Sequence, residues 1–228
     1  GLTLNEAQSG HLAALLLAAC DRASALWSVR DKNRRPLLLT TPPRYYEHNI
    51  WLALETAIPL WATGEAPLPL STWPELPPET GGICIYEGRM RDLATELADV
   101  PLAAVISALP RPNQAFWTLS ALWAGWLWGR DAIGPFTSAL RRQRYDWSWH
   151  TTALHDTLIH LAAQLTEGTP FFGLITEAES GFDAAAILAA ELADLRLVSI
   201  AARPGQHQTQ IMWRKQAEGV ANDTPLTF

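Results

Sequence analysis

Apolar and polar positions alternate along this chain with two different periods, and the change of period divides it. "LNEAQSGHLAALLLAACDRASALWSVRD" (4–31) places apolar residues at helical spacing and predicts a long Ala- and Leu-rich helix, capped by Asn5 or Thr3. "EHNIWLALETAIPLWAT" (47–63) predicts a second helix, kinked or ended by Pro59. A proline-rich stretch follows at 64–81, "GEAPLPLSTWPELPPETG", which reads as an extended linker.

Beyond it short apolar runs alternate with helical patterns. "GICIYE" (82–87) and "LAAVIS" (102–107) predict strands, the second without polar alternation, as in a parallel sheet covered on both faces. "MRDLATELA", the aromatic-rich "QAFWTLSALWAGWLWG", "WSWHTTALHDTLIHLAAQLTEG" and "GFDAAAILAAELAD" predict helices. "PFFGLIT" (170–176) predicts another buried strand, and "LRLVSIAARPG" with "HQTQIMWRK" predicts a closing hairpin. Strand–helix alternation implies a right-handed parallel α/β unit, to which the hairpin adds an antiparallel strand. The expected organisation is a helical N-terminal segment over 1–63, a linker over 64–81 and an α/β domain over 82–228.

Composition narrows the functional classes. The chain has 228 residues, 48% hydrophobic and 18% charged, which suits a core-forming protein. Its net charge of −6 supplies no global attraction to a phosphate backbone, so nucleic-acid contact needs a local basic patch. Cys20 and Cys84 fit no metal or redox spacing and read as buried thiols in a reducing cytoplasm. No apolar run approaches a membrane span. The chain opens on Gly1-Leu2 without an initiator methionine, which suggests a piece of a longer protein.

Several blocks carry a resemblance in order and spacing. "LTLNEAQSGHLAAL" opens the chain. "PPRYYEHNIWLALETAIPLW" (42–61) supplies Pro42, Arg44, Asn49, Trp51 and Ala57-Ile58-Pro59-Leu60-Trp61. "YEGRMRDLATEL" (86–97) and "AAVISALPRPNQAFWTLSALWAGWLWG" (103–129) follow. Together they resemble the C-terminal portion of a family of bacterial and archaeal DNA-methylase-like proteins, within the class I S-adenosylmethionine-dependent amino-methyltransferases. The resemblance covers nearly all of the chain. It implies a three-layer Rossmann-like methyltransferase sheet, parallel strands closed by an antiparallel hairpin, with an N-terminal helical segment. It also implies S-adenosylmethionine as cofactor and a base amine of nucleic acid as substrate.

The family's Asp-Pro-Pro-Tyr loop falls at Ser107-Ala108-Leu109-Pro110-Arg111, not at Thr41-Pro42-Pro43-Arg44. Amine methylation needs an acceptor that aims the lone pair at the methyl sulfonium and an aromatic ring that stacks on the flipped base. Here the acid position reads Ala108, or Ser107 if the register slips by one, and the tyrosine position reads Arg111. An alanine cannot accept a hydrogen bond and an arginine only donates. Loss of such an acceptor costs about a hundredfold or more in rate. The resemblance places the cofactor contact at Gly88-Arg89, where the family's aspartate is replaced by a cation. No G-x-G loop occurs in these residues; in the family it lies upstream.

The implied slot is therefore Ser107, Pro110 and Asn113, with Gly88 and Arg89 toward the cofactor and Arg44, Asn49, Arg111 and Trp117 toward a substrate. Phe116, Trp117, Trp123, Trp126 and Trp128 form either a stacking platform or core packing, and helical spacing favours core packing for most of them. "LRRQRYDWSWH" (140–150) offers Arg141, Arg142 and Arg144 as a local basic patch for nucleic acid, against the alternative of a solvated loop. His150, His155 and His160 recur every five residues, which fans them around a helix and argues against a metal site. Glu177 and Glu179 follow the strand "PFFGLIT" with no nucleophile or ligand set beside them.

The function expected is a degenerate methyltransferase-like domain, non-catalytic as this fragment and serving binding or architecture in the cytoplasm. One alternative is the C-terminal half of an active DNA or RNA amino-methyltransferase whose cofactor loop lies upstream. Another is a protein-interaction module with 64–81 as a docking strap.

Overall fold

The computed structural model describes residues 3–24, 47–62, 68–110, 115–136, 146–176, 179–203, 205 and 207–217. The chain divides into two compact units, Gly1–Pro67 with Asn113–Gln143, and Leu68–Pro112 with Arg144–Phe228. The protein is a mixed α/β chain with parallel and antiparallel strand pairs.

The first unit is helical among its described residues. Helix α1, Glu6–Arg22, begins at a capping box in which Asn5 and Gln8 each accept the other's backbone N–H. It ends at Arg22, where the Ala23 N–H closes on the Ala19 carbonyl, and residues 25–31 of the predicted span lie outside the described residues. Helix α2, Ile50–Trp61, packs against α1. Pro59 does not end α2; it lies inside the helix, two residues before its last, and has no N–H to give the Glu55 carbonyl one turn back. Helix α4, Ala115–Trp128, contacts α1 and is followed by a 3-10 turn, Arg130–Phe136, that the hydrophobic pattern did not announce.

The second unit holds two sheets. Strand β1, Leu70–Thr72, pairs in parallel with β2, Ile83–Ile85. Part of the proline-rich stretch is thus a strand, held at its ends by Ile83 N–H to the Pro69 carbonyl and Trp73 N–H to the Ile85 carbonyl. A proline has no N–H to give, yet its carbonyl still accepts. Helix α3, Met90–Glu96, follows β2.

The larger sheet has the order β3-β4-β6-β5, with β3 Val105–Ala108, β4 Pro170–Ile175, β5 Leu195–Arg203 and β6 Gln208–Lys215. The β3–β4 pair is parallel, while β6 runs antiparallel to both β4 and β5. Helices α5, Trp147–Ala162, and α6, Ser180–Leu192, connect the strands and cover one face.

That covered face is built at two periods. Leu154, Leu158, Leu161 and Ala162 recur at i, i+4, i+7 and i+8 along α5. Ala185, Ala186, Ala189 and Ala190 give α6 a small-residue face that lies close to its neighbours. Beneath them Phe171, Ile175, Ile211 and Trp213 alternate inward from β4 and β6. The opposite face does not match the expectation of burial on both sides. Ile106 is 83% exposed and its register partner Phe172 is 40% exposed. An unbroken apolar run carries no periodicity from which to tell the inward residues from the outward ones.

A bulge lies between Leu197 and Ser199 on β5. The Leu197 N–H at its edge is taken by the Glu191 carboxylate of α6 at 2.8 Å.

Candidate functional site

The loop that follows β3 is the implied catalytic slot, and register fixes which way its residues point. Ser107 pairs with Gly173, and Val105 with Phe171, so Ser107 shares the helix-covered face. Ala108 pairs with Leu174 and lies exposed on the open face. Leu109 is buried, its N–H donating to the Leu174 carbonyl at 2.9 Å, and Pro110 is exposed. Gly173 is glycine because of its neighbours: a Cβ there would come within 2.6 Å of the Trp213 ring and 3.2 Å of Leu109 Cδ1. The half-buried hydroxyl of Ser107 therefore belongs to a strand whose inward side is apolar, with Val105, Phe171 and Trp213 as its company.

The second slot lies between β2 and α3. Gly88 has the Tyr86 side chain over it, so that any added Cβ would strike the phenol. Arg89 is exposed, stands at the N-cap of α3 and makes no capping hydrogen bond with its side chain. An aspartate there would serve as a cap; a guanidinium only donates and cannot. The Arg89 carbonyl already accepts from the Asp92 and Leu93 N–H groups at 3.0 and 3.2 Å and from the Tyr86 hydroxyl at 3.4 Å. Neither residue has a side-chain acceptor for an adenine amino group, so the carboxylate contact that the resemblance implies is missing here.

Other implied site residues are divided between the units. Asn49 stands at the N-cap of α2, its Oδ1 accepting from the Trp51 and Leu52 N–H groups at 2.9 and 3.2 Å. Its side-chain acceptor thus serves the helix. Trp51 donates its indole N–H to Glu55 one turn on, at 2.7 Å. Trp117 falls within α4, where only its backbone is described. Arg44, Arg111, Asn113, Arg141, Arg142, Arg144 and Glu177 lie outside the described residues. Along α4 the expectation of core packing fails for Trp126 and Trp128, which are exposed, while Trp123 is half-buried edge-on to Trp126 at 5.0 Å.

Two titratable groups gain a place that the chain's pattern did not assign them. His150 is 4% exposed, with Trp147 and Phe182 around it at ring separations of 5.8 and 5.1 Å. Burial pushes its imidazole below the ordinary histidine value. His155 lies 3.5 Å from the Asp156 carboxylate, and His160 is exposed in the last turn of α5. Asp183, in the first turn of α6, accepts from the Thr209 hydroxyl at 3.3 Å. Burial raises its carboxyl above the usual range, against the opposing pull of the Thr209 bond and with a further push from Glu179. Because Thr209 pairs with Ile175, this carboxyl stands at the C-terminal rim of β4, the end at which open α/β sheets hold ligands. The signal available in the sequence was an aspartate in the first turn of the helix after a buried strand, weaker than the Glu177 and Glu179 pair beside it.

Among the described residues no cluster of three or more His, Cys, Asp or Glu side chains can hold a metal ion, and no helix is long and apolar enough to cross a membrane. Comparison with protein-family models and with curated proteins finds no match to this chain.

Proposed function

We propose that this chain is a degenerate S-adenosylmethionine-dependent DNA-methyltransferase-like domain that serves binding or architecture and carries out no methyl transfer by itself. The observation behind this reading is the sheet order β3-β4-β6-β5, in which the last strand inserts antiparallel between a parallel strand and its own hairpin partner. This is the sheet ending that the resemblance implies. In this reading the sheet belongs to a three-layer Rossmann-like arrangement, and the open face bearing Ile106 and Phe172 receives the further layer. Fold alone gives no activity, so the loss of chemistry is argued from the slots. Ala108 stands where the acceptor belongs, Ser107 lies on the helix-covered side, and Arg89 stands where a carboxylate belongs.

Titration calorimetry with S-adenosylmethionine, paired with an assay of methyl transfer to DNA, tests the proposal. The expected result is no transfer and no tight binding. Tight binding with transfer to DNA overturns it.

A second reading is favoured by the bare parallel edge of β3, which pairs with β4 on one side alone among the described strands. A strand from a longer parent chain would continue the sheet there and bring the cofactor loop. Asn113 would then stand in for the missing acceptor. Methyltransferase activity of such a parent, lost on Asn113→Ala, is the expected outcome; unchanged activity in that variant removes Asn113 from the reading.

A further inference from the structure

We draw no further inference here: the strongest candidate, the open face of the four-stranded sheet around Ile106 and Phe172 with the bare edge of β3 beside it, carries none because nothing in the structure shows what covers it.

Discussion

Phe171 and Phe172 are neighbours on β4, and the sheet treats them in opposite ways. Phe171 is 1% exposed, edge-on to Trp213 at 5.8 Å beneath the helices. Phe172 points to the other face, with Ile106 on one side and Met212 on the other. Chemistry is identical and position differs by one residue, because the side-chain period of a strand is two. The contrast runs across the whole sheet. On the inward side Phe171, Ile175, Ile211 and Trp213 meet α5 and α6; on the outward side Ile106, Ala108 and Phe172 have no such layer among the described residues. Apolar residues on an uncovered face make a surface that folding alone does not account for.

The largest expected effect separates the two phenylalanines directly. Phe171→Ala removes a fully buried ring and should cost about 3–5 kcal/mol of stability. Phe172→Ala should cost about 1 kcal/mol or less, since the ring keeps much of its contact with water. Urea unfolding of both variants checks the pair. Equal costs would mean that the outward face is covered in solution, and the contrast would fail.

A second comparison uses added bulk in place of lost bulk. Gly173→Ala drives a methyl into the Trp213 ring on the inward side and should destabilise by about 1–3 kcal/mol. Ala108→Val adds bulk on the outward side and should change stability by no more than about 0.5 kcal/mol. Thermal melts of the two variants give the answer. A melt of Gly173→Ala matching the parent would show that the Trp213 ring moves aside freely.

The covered side also buries titratable groups, and these should shape the dependence of stability on pH. For His150 the folded pKa is depressed, so the unfolded chain takes up the proton first as pH falls. Its contribution is whole above the ordinary histidine value of about 6.5 and is lost as pH drops from there toward the folded value. Asp183 has the opposite sign: its folded pKa is raised, so its contribution is whole below the ordinary aspartate value of about 3.9 and is lost as pH rises through the folded value. His150→Phe should flatten the slope below about pH 6.5, and Asp183→Asn should remove a fall in stability that begins as pH rises past about 3.9. Chemical denaturation at a series of pH values reads both slopes. An unchanged slope in His150→Phe would mean that the imidazole is hydrated in the folded state.

How far the chain announced this arrangement depends on where periodicity survives. Leu154, Leu158 and Leu161 repeat cleanly, so α5 could be read from the sequence, as could the hairpin of β5 and β6. The caps Asn5 and Asn49 divide differently: Asn5 was readable as a cap, while Asn49 drew a substrate role from resemblance although its oxygen caps α2. "PFFGLIT" names a strand but hides its faces, since nearly every position is apolar or small and only packing decides that Phe172 turns outward. Prolines concealed β1, because a donor-poor stretch reads as a tether even where its carbonyls take part in a ladder. At the implied slots the residue types were legible, Ala108 and Arg89 above all. Their surroundings were not, because the local turn that lays Tyr86 over Gly88 and the tertiary contact of Trp213 with Gly173 are set by the folded backbone and encoded by no spacing.

The smallest expected effect bears most directly on the uncovered face. Ile106 is the most exposed large apolar residue of the sheet, on a short strand that has no charge, proline or bulge along its length. The other outer strand, β5, carries Arg196 and Arg203 near its ends and a bulge between, the devices that keep an edge from pairing with strangers. Ile106→Lys gives β3 one such device. If the face is open in the isolated chain, the ammonium stays in water and stability moves by no more than about 0.5 kcal/mol, while any self-association through the edge weakens. Equilibrium unfolding measures the first quantity and sedimentation the second. A loss of several kcal/mol would place the lysine in a buried site, and the outward face would then have to be redrawn as an inward one.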